Sequence, residues 1–86
     1  GIGTSTPAAK LDVAGTAWLR GAAGGTGLYV NSSGNVGIGT TAPLAGLTIA
    51  SNMALGSSYV GLTAPTNGLI VEGNVGIGTT TLTVTA

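Results

Sequence analysis

The sequence predicts an all-β chain laid out as an elongated fibrous repeat, and three observations carry that expectation. A glycine-rich phrase recurs, short apolar stretches alternate with a period of two, and no window holds a sustained helical period. The phrase reads Gly-Asn-Val-Gly-Ile-Gly-Thr-Thr at Gly34–Thr41 and again at Gly73–Thr80, and a shortened Gly-Ile-Gly-Thr stands at Gly1. Aligned on Ile2, Ile38 and Ile77, successive copies lie 36 and 39 residues apart, within the roughly 20–50 residues typical of repeat architectures.

Each unit reads as three short strands. The first is Leu28–Val30, matched by Leu69–Val71; the second is Asn35–Thr41, matched by Asn74–Thr80. The third is Leu11–Val13, matched by Leu47–Ile49 and Leu82–Val84. Alternation puts Val36, Ile38 and Thr40 on one face and Gly37 and Gly39 on the other. Turns are expected at Ser33-Gly34-Asn35, at Asn67-Gly68 and before Pro7 and Pro43, with room for one helical turn at residues 7–11 or 43–47. The whole of 1–86 is then a single fibrous repeat region with repeat cores near 1–15, 34–51 and 73–86. Because Gly1 stands in the middle of a repeat phrase, the chain reads as a processed product or a piece of a longer protein.

Paired glycines on one strand face remove every side chain there, the pattern expected where another backbone approaches closely. Gly37, Gly39, Gly76 and Gly78 are the close-packing candidates, the neighbour being an adjacent rung or another subunit. Val36, Ile38, Leu47, Ile49, Leu69, Val71, Val75 and Ile77 are expected to form a dry continuous core, with Thr, Ser and Asn covering the outside.

Composition narrows the partners. Hydrophobic residues make up 43% of the chain but charged ones only 5%, against about 25% charged in average soluble domains. A lone domain of this length buries only about 60–65% of its unfolded surface. Seventeen glycines weaken it further, each costing roughly 0.5–1 kcal/mol relative to Ala in a regular element. Burial must come from association, so the expected partner is the chain itself, as a homotrimer or a homopolymeric filament. Net charge is zero and the pI about 6.1, which leaves no footprint for nucleic acid. No run approaches the ~18 apolar residues of a membrane span, and no membrane insertion is expected.

Catalytic chemistry finds no residues. Without His or Cys, neither a Ser-His nor a Cys-His arrangement can form. A dinucleotide loop needs a third glycine and a following helix; Thr6, Ala42 or Thr81 stands at that glycine's place, and Pro43 follows in the second copy. The two carboxylates, Asp12 and Glu72, read as solvated strand-edge charges, and calcium would demand six to eight oxygens. No enzyme activity, metal or cofactor is expected. Lys10 and Asp12 are spaced to pair with each other on a strand face or across a subunit boundary, and Arg20 follows Trp18 at a spacing that suits a cation–π contact. Trp18, Tyr29 and Tyr59 are the aromatic candidates for contact with a host-surface glycan, with packing the plainer role. Asn31-Ser32-Ser33 matches an N-glycosylation acceptor, and the threonines suit O-linked sugars or, more simply, exposed strand faces.

The phrase Gly34–Pro43, its second copy Gly73–Thr80 and the stretch Thr6–Gly15 together resemble the repeats of phage tail fibres, tail-spike-like proteins and related bacterial surface fibres. Their pattern runs Gly-Asn-Val-Gly-Ile-Gly-Thr-Thr-Xaa-Pro, then Lys-Leu-Xaa-Val-Xaa-Gly. This chain departs from it at Gly46, where Lys is usual, and in the last copy, which lacks the proline. The resemblance implies an intertwined trimeric β-helix or β-prism-like shaft, with a stacked β-solenoid as the alternative. It implies an extracellular or virion location, in a structural segment that supports host or surface attachment. A self-assembling bacterial extracellular filament subunit and a carbohydrate-binding adhesin module are the alternative roles.

Overall fold

A computed structural model describes residues 1–81, so the expected strand Leu82–Val84 lies outside the described residues. The fold is β-rich with almost no helix: the described residues form six strands of three residues each and a single 3₁₀ turn at Ser57–Tyr59. Contacts gather the chain into two compact units, Gly1–Ala50 and Ser51–Ala86.

The first unit holds a four-stranded sheet made of β1 (Ala17–Leu19), β2 (Leu28–Val30), β3 (Val36–Ile38) and β4 (Leu47–Ile49), paired in that order. The first three run antiparallel and β3 pairs with β4 in parallel. The β2–β3 hairpin is built by its turn residues. Gly34 N–H donates to the Asn31 carbonyl at 3.0 Å, and Gly34 takes φ 83°, the left-handed position of a turn followed by a bulge. The Asn31 side-chain oxygen accepts from the N–H groups of Ser33 and Asn35 at 3.0 and 2.9 Å, so the loop carries its own cap.

Parallel neighbours usually need a crossover of a dozen or more residues. Here the eight residues 39–46 suffice because the strands are only three residues long. The link starts the same way in every copy of the phrase. Its second glycine is left-handed at Gly3, Gly39 and Gly78, with φ of 78°, 79° and 72°. The next threonine, Thr4, Thr40 or Thr79, accepts through Oγ1 from the N–H two residues on, at 3.2, 3.1 and 3.2 Å. A β-carbon would resist that φ, and the hydroxyl replaces a backbone partner, so Gly-Thr fixes the bend locally.

The register of the returning strand also recurs. Val36 faces Leu47 and Ile38 faces Ile49, each eleven residues on. Ile2 and Val13, with the same separation, make an isolated parallel bridge. Its bonds, Ile2 N–H to Asp12 O and Ala14 N–H to Ile2 O, are both 2.8 Å.

In the second unit β5 (Met53–Leu55) pairs in parallel with β6 (Leu69–Val71). Asn52 Nδ2 donates to the Ala64 carbonyl at 2.8 Å, and Ala64, only 6% exposed, is the single buried hydrophobic residue among the described residues. Asn67 holds φ 55° in the turn closed by Gly68 N–H on the Pro65 carbonyl, a conformation asparagine tolerates better than most residues.

Four expectations meet a different structure. Leu11–Val13 forms no strand, only the isolated bridge at Val13, because its one ladder partner is Ile2. The strand expected over Asn35–Thr41 ends at Ile38, because Gly39 turns left-handed. Asn74–Thr80 forms no strand at all. There Glu72-Gly73-Asn74 replaces the longer Asn31–Asn35 loop, and Glu72 N–H extends the β5–β6 ladder by donating to the Leu55 carbonyl. The 3₁₀ turn lies at Ser57–Tyr59 rather than after Pro7 or Pro43.

Candidate functional site

The registers sort the first sheet's side chains onto two faces. Ala17, Val30, Val36 and Leu47 form one cross-strand row, and Leu19, Leu28, Ile38 and Ile49 form another two residues away. Period-2 geometry puts both rows on the same side, giving a wholly aliphatic face of eight side chains. The middle row, Trp18, Tyr29, Gly37 and Thr48, takes the opposite side.

The two faces are treated differently by the chain itself. Gly37 is buried, and a Cβ placed there would meet the Thr40 carbonyl oxygen and lie 3.1 Å from Thr40 Cγ2. The missing side chain therefore lets Thr40 of the link fold back over Gly37, while Trp18 in the same row stays exposed. The aliphatic face receives no such cover: Leu19, Leu28, Ile38 and Leu47 remain between 39 and 69% exposed. Fully burying one such side chain is worth about 1.5–3 kcal/mol, so covering what these four still expose is worth about 3–6 kcal/mol per copy.

Of the eight residues expected to be core, Val36, Ile38, Leu47 and Ile49 come together on this face. Leu69 and Val71 share a face of the second sheet with Met53 and Leu55. Val75 and Ile77 lie in no strand and are exposed. Within one chain, then, the eight do not close a core. Among the close-packing glycines, Gly37 admits the chain's own Thr40, whereas Gly39 and Gly78 serve the left-handed bend; Gly76 sits in the exposed segment before it. Ala17, Leu19, Leu28 and Val30 complete the aliphatic face but were not expected in the core. Alternation across Leu28–Val30 could have pointed to two of them.

The aromatic candidates separate. Trp18 and Tyr29 meet edge to face, with ring centroids 5.8 Å apart, and Arg20 Cζ lies 4.6 Å from the Trp18 ring centroid. Trp18 Nε1 donates to the Thr26 carbonyl at 2.7 Å. Tyr59 belongs to the second unit, half-buried on the 3₁₀ turn. Both carboxylates accept from backbone: Asp12 Oδ2 from Ala8 N–H at 2.8 Å within its own segment, and Glu72 Oε1 from Ser58 N–H of the 3₁₀ turn at 2.7 Å. Asp12 thus closes a bend in its own segment, where a strand-face pair with Lys10 had been expected. Among the described residues no three acidic, His or Cys side chains gather to hold a metal, and no helix is long and apolar enough to cross a membrane.

No protein-family model, curated protein or solved structure was found to match this chain.

Proposed function

We propose that the chain is a structural segment of an extracellular or virion fibre, assembled by self-association of its β-units. One observation carries the reading: the four-stranded sheet gathers eight aliphatic side chains on one face, of which Leu19, Leu28, Ile38 and Leu47 stay between 39 and 69% exposed. Sheets of this kind become stable by packing face to face about 10 Å apart, with the inner side chains interdigitating. The face carries no charge, so a second identical face meets no electrostatic opposition. The repeat phrase supplies regular spacing, and its low charge suits an extended shaft better than a soluble monomer. An intertwined trimer and a stacked solenoid both satisfy these requirements.

A glycan-binding role has one observation in its favour, since Trp18 is 46% exposed. It is the weaker reading, because the indole N–H and one approach to the ring are already engaged by Thr26 and Arg20.

Light scattering and electron microscopy on one sample test the fibre reading. Particles several times the 8.1 kDa of one chain are expected. A discrete trimer assigns a closed shaft, and filaments that lengthen with concentration assign an open polymer. A monomer at every concentration overturns the reading.

A further inference from the structure

Asn67 is the one residue other than glycine with a left-handed backbone among the described residues, at φ 55°, and it is exposed. Glycine follows it, an order that occurs nowhere else in the chain. A side chain on the following residue screens that residue's own backbone nitrogen, and glycine has none. The other asparagines are placed differently: Ser32, Val36, Met53 and Val75 follow them. Three of those four also hold their amides in hydrogen bonds. Asn31 Oδ1 accepts from Ser33 and Asn35 N–H, Asn35 Nδ2 donates to the Pro43 carbonyl at 3.4 Å, and Asn52 Nδ2 donates to the Ala64 carbonyl at 2.8 Å.

We infer that Asn67 is a self-modification site, where Gly68 converts the asparagine into isoaspartate and aspartate without an enzyme. The Gly68 nitrogen gives up its proton to water, bonds to Asn67 Cγ and closes a five-membered imide. The side-chain nitrogen leaves as ammonia. One water then opens the imide. Breaking the bond between the Gly68 nitrogen and the main-chain carbonyl carbon leaves isoaspartate; breaking its bond to Cγ leaves aspartate. Ammonia is exchanged for water, and nothing is oxidised or reduced.

The turn gates the first step. Gly68 N–H donates to the Pro65 carbonyl at 2.9 Å, so the attacking nitrogen is occupied until that bond opens. Exposed turns lie at the low end of the local-opening scale, so the gate opens without global unfolding. The consequence reaches the second sheet. The Gly68 carbonyl accepts from Met53 N–H at 2.9 Å, the bond that begins the β5–β6 ladder beside the Met53–Leu69 pair. Isoaspartate inserts a backbone carbon just ahead of that bond and loosens the register behind it. Either product also adds a negative charge to a unit that has Glu72 and neither Lys nor Arg. The inference is independent of the fibre reading.

The test holds the unaltered chain in warm neutral buffer and follows its peptides by mass, with an isoaspartate-specific methyltransferase to tag the product. Residue 67 is expected to gain about one mass unit at least ten-fold faster than residues 31, 35, 52 and 74. Asn67→Gly, which suits the left-handed φ, should show no gain in the same peptide. In urea, with the Pro65–Gly68 bond gone, conversion should be several-fold faster. Conversion at residue 67 no faster than at the other four asparagines overturns the site, and equal rates in buffer and urea overturn the gate.

Discussion

The Ile38→Asp chain is expected to remain at the mass of a single copy under conditions where the unaltered chain assembles. Ile38 stands inside its row on the aliphatic face, between Leu28 and Ile49, and is 44% exposed. In an isolated chain a carboxylate there can still reach water, so the local cost is no more than about 1 kcal/mol of strand preference. Between two sheets the same carboxylate is stripped of water with no cation to meet it, which costs several kcal/mol. At about 1.4 kcal/mol per tenfold change, association weakens by roughly a thousand-fold or more. Light scattering reads the loss directly. Leu44→Asp is the contrast: Leu44 is more exposed than Ile38 but sits in the link, off the face, and its replacement should leave the particle size unchanged.

The second large effect is internal to one chain. Gly37→Ala should lower stability by about 1–3 kcal/mol, the range for forcing an extra group into a packed site. Its Cβ collides with the Thr40 backbone, so the bend at Gly39-Thr40 must move and carry β4's register with it. Gly46→Ala is the matched control, because a Cβ at Gly46 meets nothing within 4 Å and its φ is not left-handed. It should be neutral or stabilising by about 0.4–1 kcal/mol through the unfolded chain. Denaturant midpoints at one fixed chain concentration separate the two, since stability and assembly are linked.

Much of this arrangement was legible in the residues. Alternation located Leu28–Val30, Leu47–Ile49 and Leu69–Val71 to the residue, and it placed Val36 with Ile38 and Leu47 with Ile49 on common faces. Ala17–Leu19 and Met53–Leu55 escaped because three consecutive apolar residues carry no period, and their pairing partners are set by register rather than by local pattern. The two glycines of the phrase look equivalent in sequence. Only the backbone separates Gly37, which yields space to Thr40, from Gly39, which turns left-handed. Asn74–Thr80 was read as a strand on the strength of its sequence, yet pairing is a tertiary event. Glu72-Gly73-Asn74 lacks the Asn31 side chain whose oxygen holds the N–H groups of Ser33 and Asn35 in the β2–β3 loop. Nor could the sequence tell that Leu19, Leu28, Ile38 and Leu47 stay exposed, since that depends on how the strands pair and what packs on them.

Burial of the aliphatic face between copies is tested most directly by thiol accessibility at Leu28. Leu28→Cys and Leu44→Cys chains would be labelled across a dilution series that spans assembly. Strong protection at residue 28 is expected in the assembled sample, lost on dilution, while residue 44 is labelled rapidly throughout. Equal, rapid labelling of both thiols in the assembled sample would contradict it.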